Sequence, residues 1–193
     1  MQVMIARIKY NSAFESFAVK SIILLTFGFS LLCSAKGQSS GKLLEYNTVI
    51  KVEKSSLIEE RSYYIEVDNK ESDWLSEIKI PYNKSSSIDI LEAIVLNSNG
   101  EIVRKLSKKE IVTKSDISEN SFYEDDLAKE FSLRNDEYPY YIKYTYRKST
   151  EKFINVAFWT PLRFTTLGTY KASLKVELPK GYKVRTWYSG NFW

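Results

Sequence analysis

The stretch Tyr170-Lys171-Ala172-Ser173-Leu174-Lys175-Val176-Glu177-Leu178 decides the fold class. Tyr170, Ala172, Leu174, Val176 and Leu178 share one phase of a period of two, and Lys171, Ser173, Lys175 and Glu177 share the other. Successive side chains of an extended strand point to opposite faces, so one face of this segment meets a core and the other meets water. That pattern predicts a half-buried antiparallel strand.

The same reading extends outward along the chain. Tyr140, Ile142, Tyr144 and Tyr146 alternate with Tyr141, Lys143, Thr145 and Arg147. Tyr63, Ile65 and Val67 alternate with Tyr64 and Glu66, and Ile78, Ile80 and Tyr82 with Lys79 and Pro81. A proline has no N–H for a ladder, so Pro81 predicts an edge or a strand end. Asn99-Gly100 separates a run ending at Leu96 from Ile102-Val103 and predicts a two-residue hairpin with positive φ at both central positions. Pro179-Lys180-Gly181 predicts a second hairpin, returning through Tyr182-Lys183-Val184. Ser85 to Ser87 reads as a loop, and 107–121 as a long polar connection with a helical turn. Short strands joined by such turns predict an all-β, antiparallel β-sandwich-like domain.

The first residues read differently. Arg7, Lys9 and Lys20 precede an apolar run from Ser21 to Leu32, followed by Ser34-Ala35-Lys36-Gly37 and then by polar residues. Charge, apolar segment and small-residue cleavage site are the order of a secretory signal, and the run is too short to span a bilayer. Residues 1–37 are therefore expected to be a signal peptide cut after Gly37 or Ala35, and 38–193 a single exported domain. That domain would not be an integral membrane protein. Cys33 stands where a lipoprotein cysteine would stand, but Leu32 before it is not the small residue that lipid attachment usually requires.

Of 193 residues, 156 follow Gly37, which suits one domain held together by its core. The leader carries Arg7, Lys9, Lys20 and Lys36 against Glu15, which leaves 24 basic and 23 acidic residues after it. A near-neutral chain of mixed signs gives no electrostatic case for nucleic acid. Arg104, Lys105, Lys108 and Lys109, and the acidic residues Glu119, Glu124, Asp125 and Asp126, read as solvated faces or loops.

The chain has no histidine, and Cys33 is its only cysteine. Nucleophilic triads usually draw their base from histidine, and zinc sites their ligands from His and Cys, so no catalytic, metal or cofactor residue is assigned. No glycine-rich phosphate loop is present, and the acidic residues between Asp116 and Asp126 lack the glycine-containing calcium loop. The candidates for ligand contact are aromatic: Trp159, Trp187 and Tyr188, with Phe158 and Trp193 beside them. These rings stack on sugars or grip peptides when exposed, and fill a core when not.

With its strands in order, the chain resembles the domain of unknown function 3857, found in secreted bacterial proteins immediately before a transglutaminase-like domain. The carrying residues are Tyr63-Tyr64-Ile65, the run from Ala93 to Val103 around Asn99-Gly100, and Phe122 to Phe131. Tyr140 to Tyr146, Trp159 to Pro161 and Leu174 to Gly181 complete them. The likeness covers most of 43–190, and Arg134 to Pro139 departs from the Pro-Gly-type turn common there. It implies a β-sandwich-like accessory domain in the periplasm or envelope of a Gram-negative cell. It implies no activity, because catalysis in such proteins would come from the downstream domain.

The expected function is therefore an exported, non-catalytic interaction module, whose partner is an envelope protein or peptide, or a glycan. Two other readings stay open at this stage. One is a truncated fragment of a transglutaminase-like or peptidase enzyme. The other is a small outer-membrane β-barrel, which the alternation alone does not exclude, although Asn191, Ser189 and Arg185 interrupt an apolar face counted back from Trp193.

Overall fold

The computed structural model describes residues 2–9, 41–115, 126–151, 153–160, 167–183 and 185. They contain ten strands: β1 (Gln2–Lys9), β2 (Lys42–Val52), β3 (Ser56–Val67), β4 (Glu77–Asn83), β5 (Ser86–Leu96), β6 (Ile102–Lys105), β7 (Val112–Ser115), β8 (Asp126–Ser132), β9 (Tyr140–Glu151) and β10 (Thr169–Leu178). A seven-stranded sheet runs β1-β10-β2-β3-β9-β5-β6, and a three-stranded sheet runs β4-β8-β7. One core lies between them. Ile78, Ile80 and Phe131 from the small sheet pack with Tyr63, Tyr144, Ile142 and Val95 from the large one. Phe131 meets Tyr144 edge to face, at 6.2 Å between ring centroids. The fold is all-β and sandwich-like, and the large sheet is open, with β1 and β6 at its ends. Among the described residues the strands do not close on themselves as those of a barrel would.

The alternation read from the sequence is what the strands bury. Tyr140, Ile142, Tyr144 and Tyr146 of β9 are all buried, and β9 pairs along its length with both β3 and β5. On β10, Ala172 and Val176 are buried, Leu174 and Leu178 pack against a second small cluster, and Tyr170 is exposed. Pro81 sits on β4, an edge of the small sheet. Ser107 caps a short 3-10 helix at Lys108–Glu110, the helical turn of the polar connection.

Two expectations are revised. First, β10 pairs in parallel with β2, from Thr169↔Leu43 to Glu177↔Lys51; only its β1 side is antiparallel. Alternation reports burial on two faces and carries no information about the direction of a neighbour. Second, Asn99-Gly100 are not the central pair of a two-residue turn. Gly100 N–H donates to the Asn97 carbonyl (3.0 Å) and Asn97 N–H to that of Glu101 (2.9 Å), so the turn is centred on Ser98-Asn99, with Gly100 following at φ 82°. Asn97 Oδ1 also accepts from the N–H groups of Asn99 and Glu101, which closes the loop from within. Gln2–Lys9, within the expected leader, pairs with β10 as strand β1. The sheet therefore takes one strand from ahead of the boundary drawn at residue 38.

The Pro179 turn is present: Tyr182 N–H reaches the Pro179 carbonyl at 3.2 Å, with Gly181 at φ 89°. Its expected return strand runs into Val184, outside the described residues. A 3-10 helix at Lys70–Ser76 leads into β4 and is closed by a capping box, Asn69 Oδ1 accepting from Ser72 N–H and Ser72 Oγ from Asn69 N–H. Asp73 ties this helix to the start of β9. It accepts from Tyr138 Oη at 2.7 Å and pairs with Arg134 at 3.1 Å.

Candidate functional site

The inner face of the large sheet is aromatic and then polar. The registers align Ala172, Tyr46, Tyr63, Tyr144 and Ala93 in one row across five strands. Cross-strand neighbours on one face lie close enough for rings to meet. Tyr46 and Tyr63 stack at 4.9 Å between centroids, and Tyr63 and Tyr144 at 4.6 Å. Trp159 extends the stack beyond Tyr46, at 5.9 Å and an interplanar angle of 18°.

The next rows bring Thr48, Arg61 and Tyr146 together, and then Ile50, Glu59 and Lys148. Arg61 and Glu59 are two apart on β3, so they share its inner face. Their side chains keep only 18% and 15% of their exposure, and Arg61 Nε donates to Glu59 Oε1 at 2.6 Å. Burial works against the guanidinium charge, but Tyr146, Glu59, Tyr46 and Tyr63 around it outweigh that and leave its pKa raised. Burial likewise pushes the Tyr46 phenol up to about 12, and raises Tyr146 with a further push from Tyr63.

Trp159 belongs to this interior. It is half-buried against the core, and its indole Nε1 donates to Thr48 Oγ1 at 3.2 Å. Its neighbours differ: Phe158 is 92% exposed and Ile154 is 97% exposed, while Phe153 and Val156 of the same loop pack inward. Of the three aromatic candidates from the sequence, the structure thus gives Trp159 a packing role. Trp187 and Tyr188 lie outside the described residues, as does Trp193. Phe158, beside Trp159, has an exposed ring.

The outer face of the large sheet is polar and internally paired. Lys171 donates to Glu45 at 2.8 Å and Ser173 to Asn47 at 2.7 Å. Thr145 donates to Ser62 at 3.0 Å, and Lys143 sits 4.3 Å from the centre of the Tyr64 ring. The Lys171 hydrogen bond holds the Glu45 carboxyl below the usual carboxylate range. An open groove of about 430 Å³ crosses the small sheet, lined by Glu77, Lys79, Glu110, Lys114, Glu130 and Phe131 among others. Its charges are of both signs, and Lys114 pairs with Glu130, and Arg104 with Glu110. Arg104 of the expected basic cluster is thus neutralised locally.

Sequence reasoning missed Arg61 and Glu59. Their signal was available: two charges occupy the inward phase of β3, between Leu57 and Tyr63, where an uninterrupted core strand would carry apolar residues.

No helix among the described residues is long and apolar enough to cross a membrane. No curated protein matches the chain. A solved structure of a "putative protease" from Parabacteroides distasonis ATCC 8503 is similar over 75% of this chain, with a TM-score of 0.64 and 15% identity. The matched part is 30% of that protein, so this chain spans under a third of its length. A CBM3a-L domain from scaffoldin cipA of the Clostridium thermocellum cellulosome gives a TM-score of only 0.36 at 10% identity, over 60% of this chain and 69% of that one. The model of DUF3857, a domain of unknown function with a solved structure, matches residues 54–192. That match takes in β3 to β10 and most of the chain, which belongs to the DUF3857 family.

Proposed function

We propose that this chain is an exported, non-catalytic accessory module that acts by binding another macromolecule of the cell envelope. The observation that carries this reading is the division of labour around Trp159. Around Trp159 the interior polar groups are paired, Trp159 with Thr48 and Arg61 with Glu59, while the adjoining loop presents Phe158 and Ile154 to solvent. A general acid or base works best with a pKa near the working pH. The buried phenols are displaced the other way, upward from 10, and the chain offers no histidine to replace them. Exposed large apolar side chains are the usual currency of protein recognition. A protein or peptide partner is favoured on this ground, and a glycan is the alternative.

Export is supported by the order of charge, apolar run and small residues in 1–37. Fractionation of a Gram-negative host expressing the whole gene tests it, with the intact mass of the product reporting cleavage. Recovery of unprocessed chain from the cytoplasm would contradict it. Turnover of peptide or acyl-transfer substrates by the purified chain would contradict the non-catalytic part.

A second reading has its own observation. The solved neighbour contains this fold as 30% of a longer protein named as a protease. The same module would then serve as the accessory part of a transglutaminase-like or peptidase protein. Restoration of turnover when a catalytic domain is supplied in trans would favour that reading.

A further inference from the structure

We propose that the outer edge of β10 is a strand-acceptor edge, covered by Gln2–Lys9 in the uncut chain and by β10 of a second copy once the leader is gone. This deepens the binding-module reading and rests on its export step, because cleavage is what would remove β1. In the structure β1 pairs with β10 over eight positions, from Gln2↔Leu178 to Lys9↔Lys171. The β10 backbone therefore already adopts the geometry that accepts an antiparallel strand on this side.

Among the described residues the other edge strands are poor acceptors, and the stretch of β5 that β6 leaves uncovered, Ser86 to Glu92, is interrupted by the register shift between Ile90 and Glu92. β6 and β7 have four residues each, and β4 carries Pro81, all common ways of blunting an edge. β10 has ten residues, with no proline or glycine among them. Its loss of β1 would leave a long, regular edge, the kind to which strands add.

The sequence of β10 selects a second copy as occupant. Antiparallel self-pairing about Leu174 sets Leu174 against its own copy and Ala172 against Val176. It also sets Lys171 against Glu177 twice, by symmetry. Opposite charges in cross-strand pairs are favourable and like charges are not. Moving the centre to Ser173 sets Lys171 against Lys175, and moving it to Lys175 sets that lysine against itself. A centre between two residues sets the core-facing phase against the wet phase. Centring on Val176 also opposes charges, Lys175 against Glu177, but overlaps only residues 174–178, so the register about Leu174 satisfies charge and face over the longest span, 170–178.

The test expresses the whole gene in an exporting host, and reads intact mass and, by light scattering, molar mass in solution. Processed chain is expected at twice the monomer mass. Lys171→Glu or Glu177→Lys alone should return it to monomer, and the double variant should restore the dimer, with circular dichroism confirming that each variant folds. A processed chain that stays monomeric, because another strand holds the edge or none does, overturns the proposal. So does a dimer indifferent to both charges. If the mass shows no processing, the export reading fails separately. Deletion of residues 2–9 from the uncut chain then frees the edge, and the same charge-dependent dimer is expected. A monomer in that variant overturns the proposal.

Discussion

Trp159 and Thr48, 111 residues apart in sequence, are joined by a 3.2 Å hydrogen bond from the indole N–H to the threonine hydroxyl. Thr48 is 1% exposed and lies on the inner face of β2, beside the ring of Tyr46 on which Trp159 stacks. The pair fastens the loop after β9 to the strand that follows residue 41, and makes Trp159 a structural residue.

Thr48→Val keeps the shape of that site and removes the acceptor. An unpaired, half-buried indole N–H should cost about 1 kcal/mol. Trp159→Ala should cost more, about 2–3 kcal/mol, through lost packing. Chemical denaturation of the two variants checks the order. Equal costs would mean that the hydrogen bond, and not the stack, carries the contact.

Phe158→Ala should behave in the opposite way. With 92% of the ring exposed, its removal should change stability by no more than about 0.5 kcal/mol, the ordinary range for a surface change. It should nevertheless weaken capture of an envelope partner. A large stability loss in this variant would assign Phe158 to the core and remove it from the contact surface.

Gly41→Ala should destabilise by about 1–3 kcal/mol, the usual cost of overpacking. A Cβ at this position would stand 2.2 Å from Leu75 Cδ1 and 3.1 Å from Ser72 Cβ on the 3-10 helix. Leu75 is itself buried, so it has little room to give way. Leu75→Ala in the same chain should recover part of the loss, and a double-mutant cycle measures how much.

Burial raises the Tyr46 and Tyr140 phenols to about 12, and raises Tyr146 as well. Since the folded pKa lies above the unfolded value of 10, the stabilisation is complete below pH 10 and is lost as pH rises towards 12. For Tyr46 alone, two pH units correspond to about 2–3 kcal/mol. The tyrosinate absorbance contributed by these buried rings should thus appear with unfolding over this window, as a cooperative step. Smooth ionisation near pH 10 with the fold intact would show that the stack is open to water.

Much of this architecture was legible. β9 buries the whole phase that the sequence marks, and β10 buries Ala172 and Val176 of its marked phase while Tyr170 is exposed. β2 was not read, because its register shifts between Leu43 and Glu45, so its buried residues change phase from Leu43 to Tyr46, Thr48, Ile50 and Val52. β5 has a similar shift between Ile90 and Glu92, and then buries Ala93 to Leu96 without alternation. β1 was hidden because a short basic and apolar opening satisfies the pattern of a leader as well as that of a strand. The place of Trp159 could not be read at all, since its partners Tyr46 and Thr48 are set by the β2 register and not by anything near residue 159.

The central claim is that this fold recognises a partner in the envelope. Affinity capture from envelope extract, with the folded chain as bait and mass spectrometry as readout, tests it most directly. The expected result is reproducible enrichment of one or more proteins on the folded chain, lost when the bait is unfolded and reduced by Phe158→Ala. No enrichment over an unrelated β-sandwich would contradict it.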